Sequence, residues 1–392
     1  MTAKKATLGE ICRFVGGGTP SRKQPDFYTG SIPWVTVKDF KTLRLSDAEE
    51  HITEAAVQES ATNIVAAGTV LLVTRVGLGK VAIADQPLAI NQDIKGLIPS
   101  AEVLPEYLFW FLLSQAHVIE RLGTGATVKG VTLQDVKAIE ILVPTHAEQR
   151  RTVDLLSRAE GILRLRREAQ AKAQAILPAL FLDLFGDPAT NPKGWPVVPL
   201  GELASVQGGL QVTRARETLP IERPYLRVAN VYRGSLDLDE IKMMRMTEAE
   251  SLRTALEPGD LLLVEGHGNP QEVGRVAVWD GEIAGCTHQN HLIRARPDST
   301  RILPAYACAL LNSTGGRQAL VRSGKTTSGL STISTRNVKE APIMLPPLNA
   351  QQRFEQQGRA VQSILAQQAA ALHKAQATFD ALLARSFGAA RL

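Results

Sequence analysis

Ala67-Gly68-Thr69-Val70-Leu71-Leu72-Val73 returns as Pro258-Gly259-Asp260-Leu261-Leu262-Leu263-Val264. The stretch reads as a glycine turn feeding a short apolar strand, and its return marks a duplication. Leu8-Gly9-Glu10 likewise returns as Leu200-Gly201-Glu202, and Ile32-Pro33-Trp34-Val35 as Arg223-Pro224-Tyr225-Leu226. Leu104-Pro105-Glu106-Tyr107 returns as Leu303-Pro304-Ala305-Tyr306, and Phe185-Gly186 as Phe387-Gly388. A repeat this long predicts two similar domains, not a small-repeat solenoid. Two halves with pseudo-two-fold symmetry suit a partner that also has two halves. Duplex DNA and a pair of identical subunits both qualify.

The chain has 392 residues, too many for one typical domain, and its 44% hydrophobic content lets each half bury a core. A net charge of +5 permits nucleic-acid binding through local basic patches without requiring it. Cys12, Cys286 and Cys308 form no C-x-x-C pair and fall at unrepeated positions, which predicts small buried thiols in a reducing compartment. Met1 to Lys5 leads into no apolar segment, so no signal peptide is expected. No run approaches 18 apolar residues, so no membrane span is expected and the localisation read is cytoplasmic.

In the first half, Ile32 to Phe40, Thr69 to Thr74, Lys80 to Ala84 and Ala89 to Ile98 read as strands, and Pro105 opens a helix to about Gln115. In the second, Leu261 to Val264, Arg275 to Trp279 and Gln289 to Arg294 read as strands, with a helix from Pro304 to about Asn312. Each half then ends in a long helix, near Ala147 to Leu184 and near Ala350 to Arg385, with Pro178 a local disturbance in the first. Leu156, Leu163, Gln170, Leu177 and Leu184 recur every seven residues. So do Leu365, Leu372 and Phe379, beside Phe354, Val361, Gln368, Ala375 and Leu382. Sustained heptads predict a coiled coil, and two such helices in one chain most simply pack antiparallel. About 35 residues at 1.5 Å each give a rod of roughly 50–55 Å, a measured spacer. The expected class is α+β: two pseudo-two-fold-related mixed α/β domains separated by two long antiparallel coiled-coil helices. The expected division is a first domain over 1–146, a spacer helix over 147–185, a linker over 186–196, a second domain over 197–348 and a second helix over 349–388.

Catalytic motifs are missing. Gly324-Lys325-Thr326 lacks the glycine that a phosphate loop needs at position 319, and Gly77-Leu78-Gly79 lacks the third glycine of a dinucleotide loop. His267, His288 and His291 lie near Cys286 without a second ligand cluster, so hydrogen-bonding or base-contacting histidines are expected in place of a metal site. No H-E-x-x-H, Gly-x-Ser-x-Gly or Asn-Pro-Pro-aromatic string occurs. The chain reads as an organiser, not an enzyme.

Polar and basic residues gather in loops that the duplication places alike. Gly16 to Lys23, with Gly18, Thr19, Ser21, Arg22 and Lys23, is matched with Gln207 to Arg214, with Gln211 and Arg214. Val73 to Gly77, with Thr74 and Arg75, lies opposite Val264 to Asn269, with His267 and Asn269. Asn91-Gln92-Asp93 lies opposite Gln289-Asn290-His291. Thr124 to Gly130, with Lys129, lies opposite Gly324 to Gly329, with Lys325, Thr326 and Thr327. Lys38, Lys80, Arg227, Asn230 and Arg275 complete the expected DNA-facing set. Amides pair bidentately with adenine, Arg and Lys with guanine or phosphate, and glycines allow close approach. Alike frames carrying unlike side chains are what two domains reading different sequences require.

These strings, with Ile90-Asn91-Gln92-Asp93-Ile94-Lys95, His288-Gln289-Asn290-His291 and Leu182-Asp183-Leu184-Phe185-Gly186-Asp187-Pro188, resemble the specificity subunit of a type I restriction-modification system over essentially the whole chain. Glu148-Gln149-Arg150 and Gln351-Gln352-Arg353 resemble that family's helix starts. The resemblance implies that each domain is a target recognition domain reading half of a bipartite, asymmetric DNA site, while the helices fix the gap. It implies docking of two adenine-N6 methyltransferase subunits and, through them, two motor-nuclease restriction subunits. No cofactor is implied in this chain; S-adenosylmethionine, ATP and Mg2+ belong to the partners. Leu156, Leu163, Leu177, Leu184, Val361, Leu365, Leu372 and Phe379 are the implied spacer and partner residues. Two rival readings remain: a specificity subunit of a fused methylase-nuclease system, and a coiled-coil scaffold that never reads DNA.

Overall fold

The computed structural model describes residues 4–125, 129–322, 325–327 and 330–388, with side chains left out for 325–327, 330 and 331. Packing divides the chain into two units: residues 1–168 with 370–392, and residues 169–369. Each unit therefore combines one globular domain with half of each long helix.

In the first unit a five-stranded sheet runs in the order Cys12–Gly16, Ile94–Pro99, Val70–Val73, Val81–Ala84, Arg44–Leu45. Val70–Val73 is wholly buried at its centre, which explains a continuous apolar run in place of alternation. A second sheet orders His51–Ile52, Ile32–Val35, Leu88–Ile90, Asn63–Val65. The second unit repeats both themes. Ala204–Gly208, Leu292–Pro297, Leu261–Val264 and Val276–Val278 form one sheet, and Lys242–Met246, Ile221–Leu226 and Thr287–His288 another. The parallel pairing of Trp34 with Ala89 and Val35 with Ile90 recurs as Tyr225 with Thr287 and Leu226 with His288.

Three expected strands are corrected. Ile32 to Phe40 is strand only to Val35, and then turns through the 3-10 segment Val37–Asp39, capped by the Thr36 hydroxyl. Ala89 to Ile98 is two strands, broken where Asn91 Oδ1 accepts from Asp93 N at 3.1 Å. This is an Asx turn, and it passes the chain from one sheet to the other. Gln289 to Arg294 is broken at the same place, between Thr287–His288 and Leu292–Pro297.

The long helices are His146–Phe185 and Leu348–Phe387. The first continues through Pro178, which does not end it. In the first unit Leu156 and Leu163 share a core with Leu372, Phe379 and Leu382, and Trp110 meets Phe379 edge-on at 5.8 Å. In the second, Phe181 and Phe185 pack on Phe354, and Leu177 reaches within 3.3 Å of where Gly358 would carry a Cβ. Early residues of one helix thus meet late residues of the other, so the pair runs antiparallel. Leu156, Leu163, Val361 and Phe379 are buried and Leu177, Leu184, Leu365 and Leu372 half-buried, as a heptad seam requires.

One residue fastens each helix start. Gln149 is fully buried; its Oε1 accepts from Leu104 N at 2.8 Å, and its Nε2 donates to the carbonyls of Glu102 and Pro144 at 2.8 and 2.9 Å. Gln351 repeats this with Leu303 N at 2.8 Å and the carbonyls of Arg301 and Pro346 at 3.2 and 2.8 Å. One amide satisfies three otherwise stranded backbone groups, which is why a glutamine stands there twice.

Candidate nucleic-acid interface

Within each unit the four loops marked in the sequence are chained together. In the first, Gly18 N donates to Ile90 O at 3.0 Å and Thr19 Oγ1 donates to Gln92 Oε1. Thr74 N donates to Asp93 O at 2.8 Å, and Val131 N to Thr74 O at 3.0 Å. Arg75 bridges to Gly130 through the backbone and lies 3.7 Å from Asp93 through its guanidinium. In the second, Leu210 N donates to His288 O at 3.1 Å and Glu265 N to His291 O at 3.0 Å. Ile333 N donates to Glu265 O at 2.8 Å, and Gly266 pairs with Thr332, which pairs in turn with Lys325 of the fourth loop through the backbone.

These bonds move the expected match of the glycine loops by one residue. Gly17 corresponds to Gly209. A Cβ on Gly17 would overlap the carbonyls of Ile90 and Asn91, and one on Gly209 those of His288 and Gln289. Gly18 abuts the Ala61–Thr62 backbone in the same way. The close approach that selects glycine is therefore made by the chain to itself.

The candidate residues separate by exposure. Thr19, Ser21, Arg22, Lys23, Lys38, Arg75, Lys80, Gln92 and Lys129 are exposed in the first unit, and Gln211, Arg214, Asn269 and His291 in the second. His267, Gln289, Asn290 and Arg227 are half-buried. Gly18, Thr74, Asn91, Asn230 and Arg275 are buried and serve the frame. Thr74 Oγ1 donates to Asp93 O at 3.1 Å. Asn230 accepts from Arg227 N at 3.0 Å and donates to Asp237 O and Glu240 O. Arg275 donates to Glu272 at 2.9 Å and to Val228 O at 2.8 Å. These amide and guanidinium groups are buried and bonded within the fold, away from a base edge. The side chains of Lys325, Thr326 and Thr327 lie outside the described part, as do Ala126, Thr127, Val128, Gly324, Ser328 and Gly329.

Several exposed cations are also tied. Arg22 donates to both carboxylate oxygens of Glu50 at 2.7 Å and lies 4.1 Å over the Tyr28 ring. That bond raises the Arg22 pKa and lowers that of Glu50. The second unit has its own bidentate pair, missed in the sequence: Arg216 to Glu250 at 3.0 and 2.9 Å. Arg216 holds the Glu250 carboxyl down at about 2, helped by the Thr247 amide, and its Nε also donates to Gln211 O. No local sequence signal joins residues this far apart. His288, within the histidine cluster, is wholly buried; burial and the nearby Arg294 guanidinium bring its pKa down to about 4, so it is neutral near pH 7.

Residues 2–174 match the type I restriction modification DNA specificity domain. The first 174 residues are therefore similar to that domain. The chain is 31% identical over 254 residues to the type I restriction enzyme MjaIX specificity subunit of Methanocaldococcus jannaschii, covering 58% of this chain and 57% of that one. Against the EcoR124I/EcoR124II specificity subunit of Escherichia coli it is 36% identical over 163 residues, 40% of each. The chain thus spans about half the length of the curated relatives it matches. In fold it resembles the type I restriction-modification S subunit from M. genitalium, with TM-score 0.55 and 16% identity over 99% of each chain. It also resembles a chain from a structure of type I R-M complex assembly and conformational transition, with TM-score 0.62 and 19% identity over 98% of this chain and 97% of that one. Both of these fold matches extend over the second unit as well as the first. Among the described residues no three His, Cys, Asp or Glu side chains gather into a metal site, and no helix is long and apolar enough to cross a membrane.

Proposed function

We propose that this chain is the non-catalytic, cytoplasmic DNA-recognition subunit of a type I restriction-modification complex. Each unit reads one half of a bipartite, asymmetric duplex site through its four chained loops. The antiparallel helices set the unread gap and dock two adenine-N6 methyltransferase subunits, through which two motor-nuclease subunits join. S-adenosylmethionine, ATP and Mg2+ act in those partners, and base flipping and methyl transfer occur there. The observation that carries this reading is the pairing of a duplicated hydrogen-bonded frame with unlike exposed side chains on equivalent loops. A scaffold for two identical clients would have no use for that difference.

Modified-base sequencing tests the reading. DNA from cells expressing this chain with a methyltransferase subunit encoded beside it is compared with DNA from cells expressing the methyltransferase alone. A new bipartite motif with methyladenine in each half is the expected result. No new motif from a properly assembled complex overturns it.

A further inference from the structure

Among its described residues, the first unit has one non-glycine residue in a left-handed conformation. Val76 has φ 52°, a left-handed conformation that a β-branched residue adopts only when its surroundings impose it. Gly77 and Gly79 follow at φ 99° and 80°. The tip cannot relax, because it is clamped on several sides. Thr74 is bonded to Asp93 and to Val131, Arg75 is paired through its backbone with Gly130, and Gly79 lies against the backbone of Ala116. The strain does not bury the side chain. Val76 is 56% exposed, and the side chain of the preceding residue, Arg75, is 54% exposed. Folding alone would favour glycine or asparagine at this position, and would not hold a branched apolar group in water. The equivalent segment of the second unit, Glu265 to Asn269, has no non-glycine residue at positive φ.

An exposed isopropyl group on a clamped backbone, one residue along the chain from an exposed arginine, suits one surface of the DNA major groove: a thymine C5-methyl beside the N7 and O6 acceptors of a guanine. We propose that the Arg75–Val76 tip is a base-reading element of the first unit, with Val76 packing on a thymine methyl and Arg75 leaving its loose 3.7 Å contact with Asp93 to pair with an adjacent guanine. The first half-site then contains a thymine next to a guanine. The inference rests on the DNA-recognition reading above and adds two residue roles to it.

The test uses the full chain assembled with the methyltransferase subunit. A duplex is first selected by the complex from a randomised library, and each thymine is then replaced singly by deoxyuridine, which removes only the methyl group. Uracil at one position in one half-site should weaken binding by the wild-type complex about three- to fivefold, the worth of one buried methyl. Val76→Gly and Val76→Asn, both compatible with the backbone here, should bind the parent duplex that much more weakly and show no further loss with uracil at that position. Arg75→Ala should lose tenfold or more in discrimination at the neighbouring guanine. An unchanged pattern of uracil penalties in both Val76 variants overturns the inference while leaving DNA recognition standing. Failure to select any preferred duplex overturns both.

Discussion

The two units keep the same backbone at the centre of their main sheets and fill it with opposite chemistry. Cys12 pairs with Pro99, and Ala204 with Pro297, so Gly96 stands where Arg294 stands, and Val15 where Gln207 stands. In the first unit Gly96 lies under Val65 and Thr69, whose methyl carbons sit 3.0 and 3.1 Å from where its Cβ would be. In the second, the buried Arg294 donates to the Ala255 carbonyl at 2.9 Å and to Gln207 at 2.8 Å. Arg296 donates to both oxygens of the fully buried Asp260 at 2.7 and 2.8 Å. Ile90 in the first unit becomes His288 in the second. By contrast, the places where domain meets helix are unchanged: Gln149 and Gln351, and the Tyr107 and Tyr306 hydroxyls donating to Leu142 O and Met344 O. The lesson is that the helix attachment tolerates little variation, whereas the sheet that carries the loops can be apolar or ionic.

Breaking the ionic interior should give the largest effect. Asp260→Ala leaves Arg296 without its buried carboxylate and should destabilise the protein by about 3–4 kcal/mol in denaturant unfolding. Thr69→Ala, at the matching place in the first unit, should cost about 1 kcal/mol. Equal losses would remove the contrast. The next effect is acid sensitivity. The folded pKa of His288 lies below its unfolded value, so the unfolded chain takes up the proton first. The stability its burial allows is complete above about pH 6.5, erodes on acidification and is gone by about pH 4, a loss of about 3 kcal/mol. His288→Ile, which copies the first unit, should flatten that slope; an unaltered pH profile would contradict the assignment.

Where the units agree, matched variants should agree too. Gln149→Ala and Gln351→Ala each strand three backbone groups and should each cost about 2–3 kcal/mol, read as thermal unfolding. A large cost in only one would show that the two attachments are not equivalent. The smallest effect concerns charge. Lys23→Ala should lower the slope of log affinity against log salt by about one. Arg22→Ala should lower it by less, since Glu50 already neutralises Arg22.

Much of this was readable in the sequence. The duplication, the α+β class and both long helices follow from repeated strings and heptads, which are local signals. The turn at Asn91 was hidden because apolar residues continue on both sides, so periodicity ran through the break; at Gln289 the polar run Thr287 to His291 masked the short strand before it. The buried roles of Asn91, Asn230 and Arg275 were also hidden. A polar residue in a loop-rich string looks the same whether its groups face water or a backbone carbonyl. The Arg22–Glu50, Arg216–Glu250 and Arg296–Asp260 pairs join residues 28 to 36 positions apart, beyond any local pattern. Val76 carries no signal at all in sequence, since only the backbone reveals its conformation.

The claim that each unit reads its own half-site is tested most directly by altering one unit alone. Asn290→Ala with His291→Ala changes only loop side chains of the second unit, and modified-base sequencing of cells carrying the variant with its methyltransferase reads the outcome. The account predicts that one half of the bipartite motif relaxes or shifts while the other half and the gap between them stay fixed. A motif altered in both halves, or in neither, would contradict it.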